Sequence, residues 1–139
     1  MNYRVIKNFN KQVLSWNDIL YNFEESVVKD ELIRYTPEKH TTFYVIHNAY
    51  RIKKLKNILK KLGCVVAHIY FNLCAREDIL GPHDDDRDVW FWQCQGKSKW
   101  IIDNKQFILQ PGDLIYVKKG VFHTVSALTP RAGVSMSKF

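Results

Sequence analysis

From residue 64 to residue 137 the sequence is a series of short β-forming runs, each cut off by glycine, proline or an Asn/Asp turn. The runs fall at 65–73, 89–95, 100–103, 106–109, 114–117, 122–127 and 132–137. Strands this short and this evenly spaced fold as a sandwich or a barrel. The fourth run follows the third as a hairpin around Asn104-Lys105. In the first run, the two-residue period sets Ala67, Ile69, Phe71 and Leu73 on one face and His68, Tyr70 and Asn72 on the other. The apolar face fits a core, and the polar one suits a cavity.

The first 63 residues read differently. Ser15 is placed to cap a helix, with Asp18 three residues on as its reciprocal partner. Trp16, Ile19, Leu20 and Phe23 follow at helical spacing, and this helix is expected to end near Ser26. A short helical piece is expected over 27–33, a break at Thr36-Pro37, and a strand over 42–47. Ile52, Leu55, Ile58, Leu59 and Leu62 then mark one face of a second helix, which Gly63 ends. Its other faces carry Arg51, Lys53, Lys54, Lys56, Lys60 and Lys61. A chain of 139 residues suits a single domain, with a helical part over 1–63 and a barrel core over 64–139. The expected fold is mainly β: a double-stranded β-helix of the jelly-roll kind, with N-terminal helices packed on it.

The net charge of +7 favours an anionic partner such as nucleic acid or a ribosome; a merely solvating basic surface is the alternative. For the lysine-rich helix the alternative is likewise a solvated face on a packed element. Cys64, Cys74 and Cys94 are odd in number and widely spaced, so they read as reduced thiols of a cytoplasmic protein. No apolar run is long enough for a membrane span.

Two stretches carry the chemistry. GPHDDDRDVWFW, 81–92, contains His83-x-Asp85, and PGDLIYVKKGVFH, 111–123, ends in His123. On a strand, His83 and Asp85 point to the same face about 6.5–7 Å apart, and His123 can close the set from a neighbouring strand. Two imidazoles and a carboxylate leave coordination positions open, which suits a non-heme Fe(II) oxygenase; Zn, Mn or Ni could use the same ligands. An acidic loop beside a chance histidine is the alternative for HxD taken by itself.

The second stretch resembles the second motif of cupins, with Gly112, Gly120 and His123 in place, but Lys118 where proline is usual and Ala127 where asparagine is usual. The first cupin motif is less well kept: Asp85 stands at the second histidine and Val89 at the glutamate. The stretch HDDDRDVWFWQCQGKSKW more closely resembles the JmjC-type hydroxylases of the ribosomal-oxygenase branch. His83, Asp85, Asp88, Val89, Gln93, Gly96 and Trp100 fall in register with their pattern. That resemblance implies Fe(II) held by His83, Asp85 and His123, 2-oxoglutarate as co-substrate, and O2-driven hydroxylation. It also implies a cation at position 98 for the co-substrate's distal carboxylate, where this chain has Ser98. Arg131, at the start of the last strand, is the cation offered in its place; a surface turn residue after Pro130 is the alternative. Tyr70 matches a family tyrosine that contacts the co-substrate, ordinary barrel packing being the alternative, and His68 replaces a family asparagine.

The expected function is therefore an Fe(II)-dependent, 2-oxoglutarate-dependent oxygenase acting on a protein, nucleic acid or small molecule. The catalytic metal ligands are His83, Asp85 and His123, and the co-substrate residues are Arg131, Tyr70 and Ser98. Two other readings stand beside it: a metal-dependent cupin isomerase, lyase or dioxygenase that does without 2-oxoglutarate, and a non-catalytic binding module. A homodimer is the expected assembly.

Overall fold

The computed structural model describes residues 1–29, 33–35, 43–75 and 81–139. Its frame is two antiparallel sheets. The larger joins seven strands in the order β1 (Tyr3–Ile6), β8 (Leu114–Val117), β5 (Val89–Gln95), β10 (Arg131–Ser137), β4 (Val66–Asn72), β3 (Phe43–Ile46) and β2 (Ile33–Tyr35). The smaller runs β7 (Lys105–Leu109), β6 (Ser98–Ile102) and β9 (His123–Ala127). Beyond β9 its edge is extended by one bridge, His83 to His123. The facing of β4, β5, β8 and β10 in one sheet by β6, β7 and β9 in the other is a double-stranded β-helix, the fold expected from the strand spacing.

The alternation along β4 decides where core and cavity lie. Ala67, Ile69 and Phe71 face out of the barrel into a core shared with Leu14, Ile19, Leu55, Ile58, Leu59, Trp92, Val134 and Met136. Helix α1 (Trp16–Val28) and helix α2 (Lys56–Leu62) thus cover the outer face of the large sheet. A second core, of Phe91, Trp100, Ile102, Leu109, Ile115 and Val117, fills the space between the sheets.

The capping box of α1 forms as read: Asp18 N donates to Ser15 Oγ and Ser15 N to Asp18 Oδ2, each at 3.0 Å. The helix runs on to Val28, past Ser26. Of the helical piece expected over 27–33, Val27 and Val28 finish α1, Lys29 caps it and Ile33 opens β2; residues 30–32, like Thr36-Pro37, lie outside the described residues. The second helix starts late. Residues Ala49–Arg51 and Lys53–Leu55 form 3-10 turns, and regular helix begins at Lys56 with no side-chain cap. Gly63 ends it at φ 69°, the left-handed conformation expected of that position. The β6–β7 turn falls one residue earlier than read, at Asp103-Asn104, both with positive φ, because Asp and Asn tolerate the left-handed region that a two-residue hairpin turn requires.

Three strands from the first 63 residues are hydrogen-bonded into the large sheet. β1 lies along β8, with Tyr3 opposite Val117 and Ile6 opposite Leu114. At the far end of the barrel the β5–β6 turn packs against the β9–β10 turn. Lys97 N donates to Thr129 Oγ1 at 2.9 Å, and Leu128 N to Lys97 O at 3.0 Å. Gly96, at φ 66°, sits in that contact; a Cβ there would collide with the carbonyl oxygen of Pro130 and with Thr129 Oγ1. Cys64 and Cys94 are buried free thiols, and burial pushes them up to about 11 and about 12, so both stay protonated and inert. Among the described residues no helix is long and apolar enough to cross a membrane.

Candidate metal centre and its cavity

His83, Asp85 and His123 offer ligand atoms that all lie within 4.8 Å of one another. The sequence reading put His83 and Asp85 on a regular strand, and here it needs correction: only His83 is paired. Pro82 has no N–H to give to a ladder, and the aspartate run that follows is poor in β propensity. The rung that remains joins the two histidines directly, with His123 N donating to His83 O at 2.8 Å and His83 N to His123 O at 3.0 Å. It brings the imidazoles to 4.3 Å between ring centroids. Asp85 is held separately, its carbonyl accepting from Gly120 N at 3.0 Å in the turn that precedes His123.

The second nitrogen of each ring settles its orientation. His83 Nδ1 lies 2.9 Å from Gly81 O, and His123 Nδ1 lies 2.9 Å from Val121 O. A carbonyl can only accept, so both Nδ1 atoms carry their protons and both Nε2 lone pairs are left for a ligand. His123 Nε2 is 3.4 Å from Asp85 Oδ2. Burial, reinforced by His83, holds the His123 pKa below its ordinary value, against the raising effect of the Val121 carbonyl and Asp85. Two imidazoles beside a carboxylate, with backbone carbonyls holding each Nδ1, fit a divalent cation.

These groups open onto a cavity of about 420 Å³ between the sheets. The small sheet contributes His123, Trp100 and Val125; the large sheet contributes His68, Tyr70, Asn72, Phe91, Arg131 and Ser135. Arg131 is 6% exposed, and its Nε donates to Asn72 Oδ1 at 2.7 Å, its register partner across β10 and β4. Its guanidinium carbon stands 5.6 Å from the Phe91 ring centroid. Tyr70 lines the same wall between Phe43 and Phe91. Between Arg131 and Ser135, Gly133 has no Cβ, and the Phe91 ring packs against the space one would fill.

Of the six residues singled out in the sequence, five meet around this cavity and Ser98 does not line it. Ser98 is fully buried and its hydroxyl is engaged on both sides, donating to Gln93 Oε1 at 2.8 Å and accepting from Trp100 Nε1 at 3.0 Å. Gln93 in turn donates to the carbonyls of Gln95 and Gly96. The indole at the end of this chain lies nearly parallel to the His123 ring, at 16° and 5.7 Å between centroids. Replacing Ser98 by alanine strands both partners and is expected to destabilise the fold by about 2 kcal/mol, measurable by urea denaturation. A change under about 0.5 kcal/mol would show that the chain carries no weight.

Asn72 and Trp100 are site residues whose roles the sequence reading did not assign. The alternation of β4 put Asn72 on the cavity face, and Trp100 matched a motif position. Their partners, Arg131 and His123, come from strand register.

No family model and no curated protein matches the sequence. Solved structures do resemble it. The ribosomal oxygenase YcfD of Escherichia coli superposes with a TM-score of 0.70 at 17% identity, over 96% of this chain and 47% of that one. The same values hold for YcfD in complex with cobalt and 2-oxoglutarate. KdgF from Halomonas sp. gives a TM-score of 0.53 at 14% identity, over 78% of this chain and 86% of that one. This chain spans about half the length of the ribosomal oxygenase. The likeness is one of fold, and it agrees with the sheet topology: the chain has a double-stranded β-helix arranged as in the ribosomal oxygenase.

Proposed function

We propose that the protein is an Fe(II)-dependent oxygenase that consumes 2-oxoglutarate and O2 and hydroxylates a protein, nucleic acid or small-molecule substrate. One juxtaposition carries the reading. The small sheet's edge supplies a two-histidine, one-aspartate set with open positions, and the large sheet presents a buried cation, Arg131, to the same cavity. The likeness to a ribosomal oxygenase solved with cobalt and 2-oxoglutarate supports it. Bound Fe(II) would supply O2 activation, the overall balance being 2-oxoglutarate, O2 and R–H to succinate, CO2 and R–OH.

The chain's own residues do the positioning. His83 and His123 keep their protons at Nδ1 and turn Nε2 toward the metal position. Asn72 orients the Arg131 guanidinium, so the cation is set before a carboxylate arrives, and a buried dicarboxylate needs such a partner. Tyr70, two residues from Asn72 on the same strand face, adds a hydroxyl donor. Phe91, Trp100, Ile115 and Val125 wall out water. Ser98, first read as a co-substrate contact, orients Trp100 against His123 in this scheme.

Anaerobic titration of Fe(II) and 2-oxoglutarate tests the proposal. A metal-to-ligand charge-transfer band is expected, and Arg131→Ala should weaken 2-oxoglutarate binding by roughly 10–100-fold, the worth of a charge-assisted hydrogen bond. Absence of the band at saturation overturns the reading. The second reading, a metal-dependent cupin enzyme without 2-oxoglutarate, is favoured by the engagement of Ser98 at the position where a cation was expected. Metal binding without the band, together with metal-dependent activity on a sugar or acid, would favour it over the first.

A further inference from the structure

The densest positive charge on the molecule takes no part in this chemistry. Between Glu38 and Glu77 the sequence contains no acidic residue. Within it Arg51, Lys53, Lys54, Lys56, Lys60 and Lys61 crowd into residues 51–61, and all six are exposed. Lys54 meets Asp18 at 2.8 Å, and Lys61 lies over the Phe9 ring. Lys53, Lys56 and Lys60 have no carboxylate partner among the described residues.

At its amino end this arrangement works against its own helix, while Lys60 and Lys61 suit the last turn. Lys53, Lys54 and Lys56 stand at the amino end, where the helix's partial positive charge repels cations, and no side chain caps that end. A face that served only solubility would do so equally well with mixed charges, which also stabilise a helix by pairing. The helix is held instead by Leu55, Ile58 and Leu59, packed on the outer face of the large sheet. The lysines are therefore presented on a rigid support, across the sheet from the metal cavity.

We propose that this face docks the phosphate backbone of a nucleic acid, with Lys53, Lys56 and Lys60 as the contacts. Like charges on a firm surface match a polyanion and release its counterions. Tyr50, 47% exposed beside Arg51, adds a ring on which a base can stack. An anionic membrane fits less well, because the exposed face offers no aliphatic side chain to enter it. The inference is independent of the metal reading.

The test is fluorescence anisotropy of the full chain with a labelled single-stranded RNA and a labelled DNA duplex across a salt series. Three phosphate contacts predict log K falling against log salt with a slope steeper by roughly 2–3 than in their absence. The triple variant Lys53→Ser, Lys56→Ser, Lys60→Ser should raise Kd at least about tenfold and lose that part of the slope. Its circular dichroism should be unchanged, because all three side chains are exposed. A control removes the same charge elsewhere, through Lys97→Ser, Lys105→Ser and Lys118→Ser, and should move Kd by less than about twofold. A preference for RNA or for DNA supports the docking and names its source. Equal losses in the two triple variants would reduce the effect to net charge and overturn the proposal. So would the lack of wild-type binding at about 0.1 M salt, or binding to phosphatidylserine vesicles without binding to either polymer.

Discussion

Replacing His123 by alanine is expected to lower the affinity for Co(II), used as an air-stable probe, by more than about 100-fold, since even a group that only orients a ligand is commonly worth 10–100-fold. The expectation rests on more than a lost donor. His123 is 5% exposed, stacked on Trp100, and joined to His83 through both of its backbone polar groups. The backbone rung survives the substitution, so His83 and Asp85 stay in place and the loss reports the missing nitrogen. His123→Gln is the companion variant: it keeps bulk against Trp100 and should restore stability but not affinity. Co(II) absorption titration reads both. Undiminished affinity in His123→Ala would remove this residue from the metal centre and take the proposed chemistry with it.

Gly96→Ala is expected to cost about 4 kcal/mol, combining left-handed strain with a backbone collision. For a chain of this length that is a fall of roughly 12–20 °C in melting temperature. The cause is geometric. Gly96 holds a positive φ, and the atom a methyl group would strike is the carbonyl oxygen of Pro130, which cannot rotate away as a side chain could. Pro130 precedes Arg131, so relief of the clash shifts the start of β10 and the guanidinium with it. The variant should therefore lose 2-oxoglutarate affinity even at temperatures where it remains folded, while Co(II) affinity changes little. A melting temperature within about 3 °C of wild type would contradict the stability estimate. Intact 2-oxoglutarate binding would break the link to Arg131.

Much of this was legible in the sequence because it depends on local rules. The two-residue period of β4 separates core from cavity, Ser15 and Asp18 announce a helix start, and His83, Asp85 and His123 sit at turns marked by glycine and proline. What escaped depends on partners distant in the chain. Residues 1–14 read as either a short strand or an irregular lead-in, since nothing in them says that β8 leaves its edge open to Tyr3–Ile6. Residues 83–85 read as a strand because histidine and aspartate alternate correctly, yet the ladder is limited to one rung by Pro82 and the aspartates. Ser98 read as a cavity residue from its motif position. Gln93 and Trp100 capture its hydroxyl, and only side-chain geometry reveals that.

The missing Cβ at residue 133 sets a condition on any chain built this way. Phe91 rests where that atom would be, so a ring that lines the cavity takes its position from the lack of a side chain on the neighbouring strand. Alanine at 133 with phenylalanine at 91 would tip the ring into the space between the metal ligands and Arg131. The carbonyl oxygen of Trp92 lies 2.8 Å from the same point, so a smaller residue at 91 relieves only part of the clash and position 133 stays glycine whatever ring stands beside it. An aligned set of related chains should keep glycine at 133 while the residue at 91 varies with the size of the admitted substrate group.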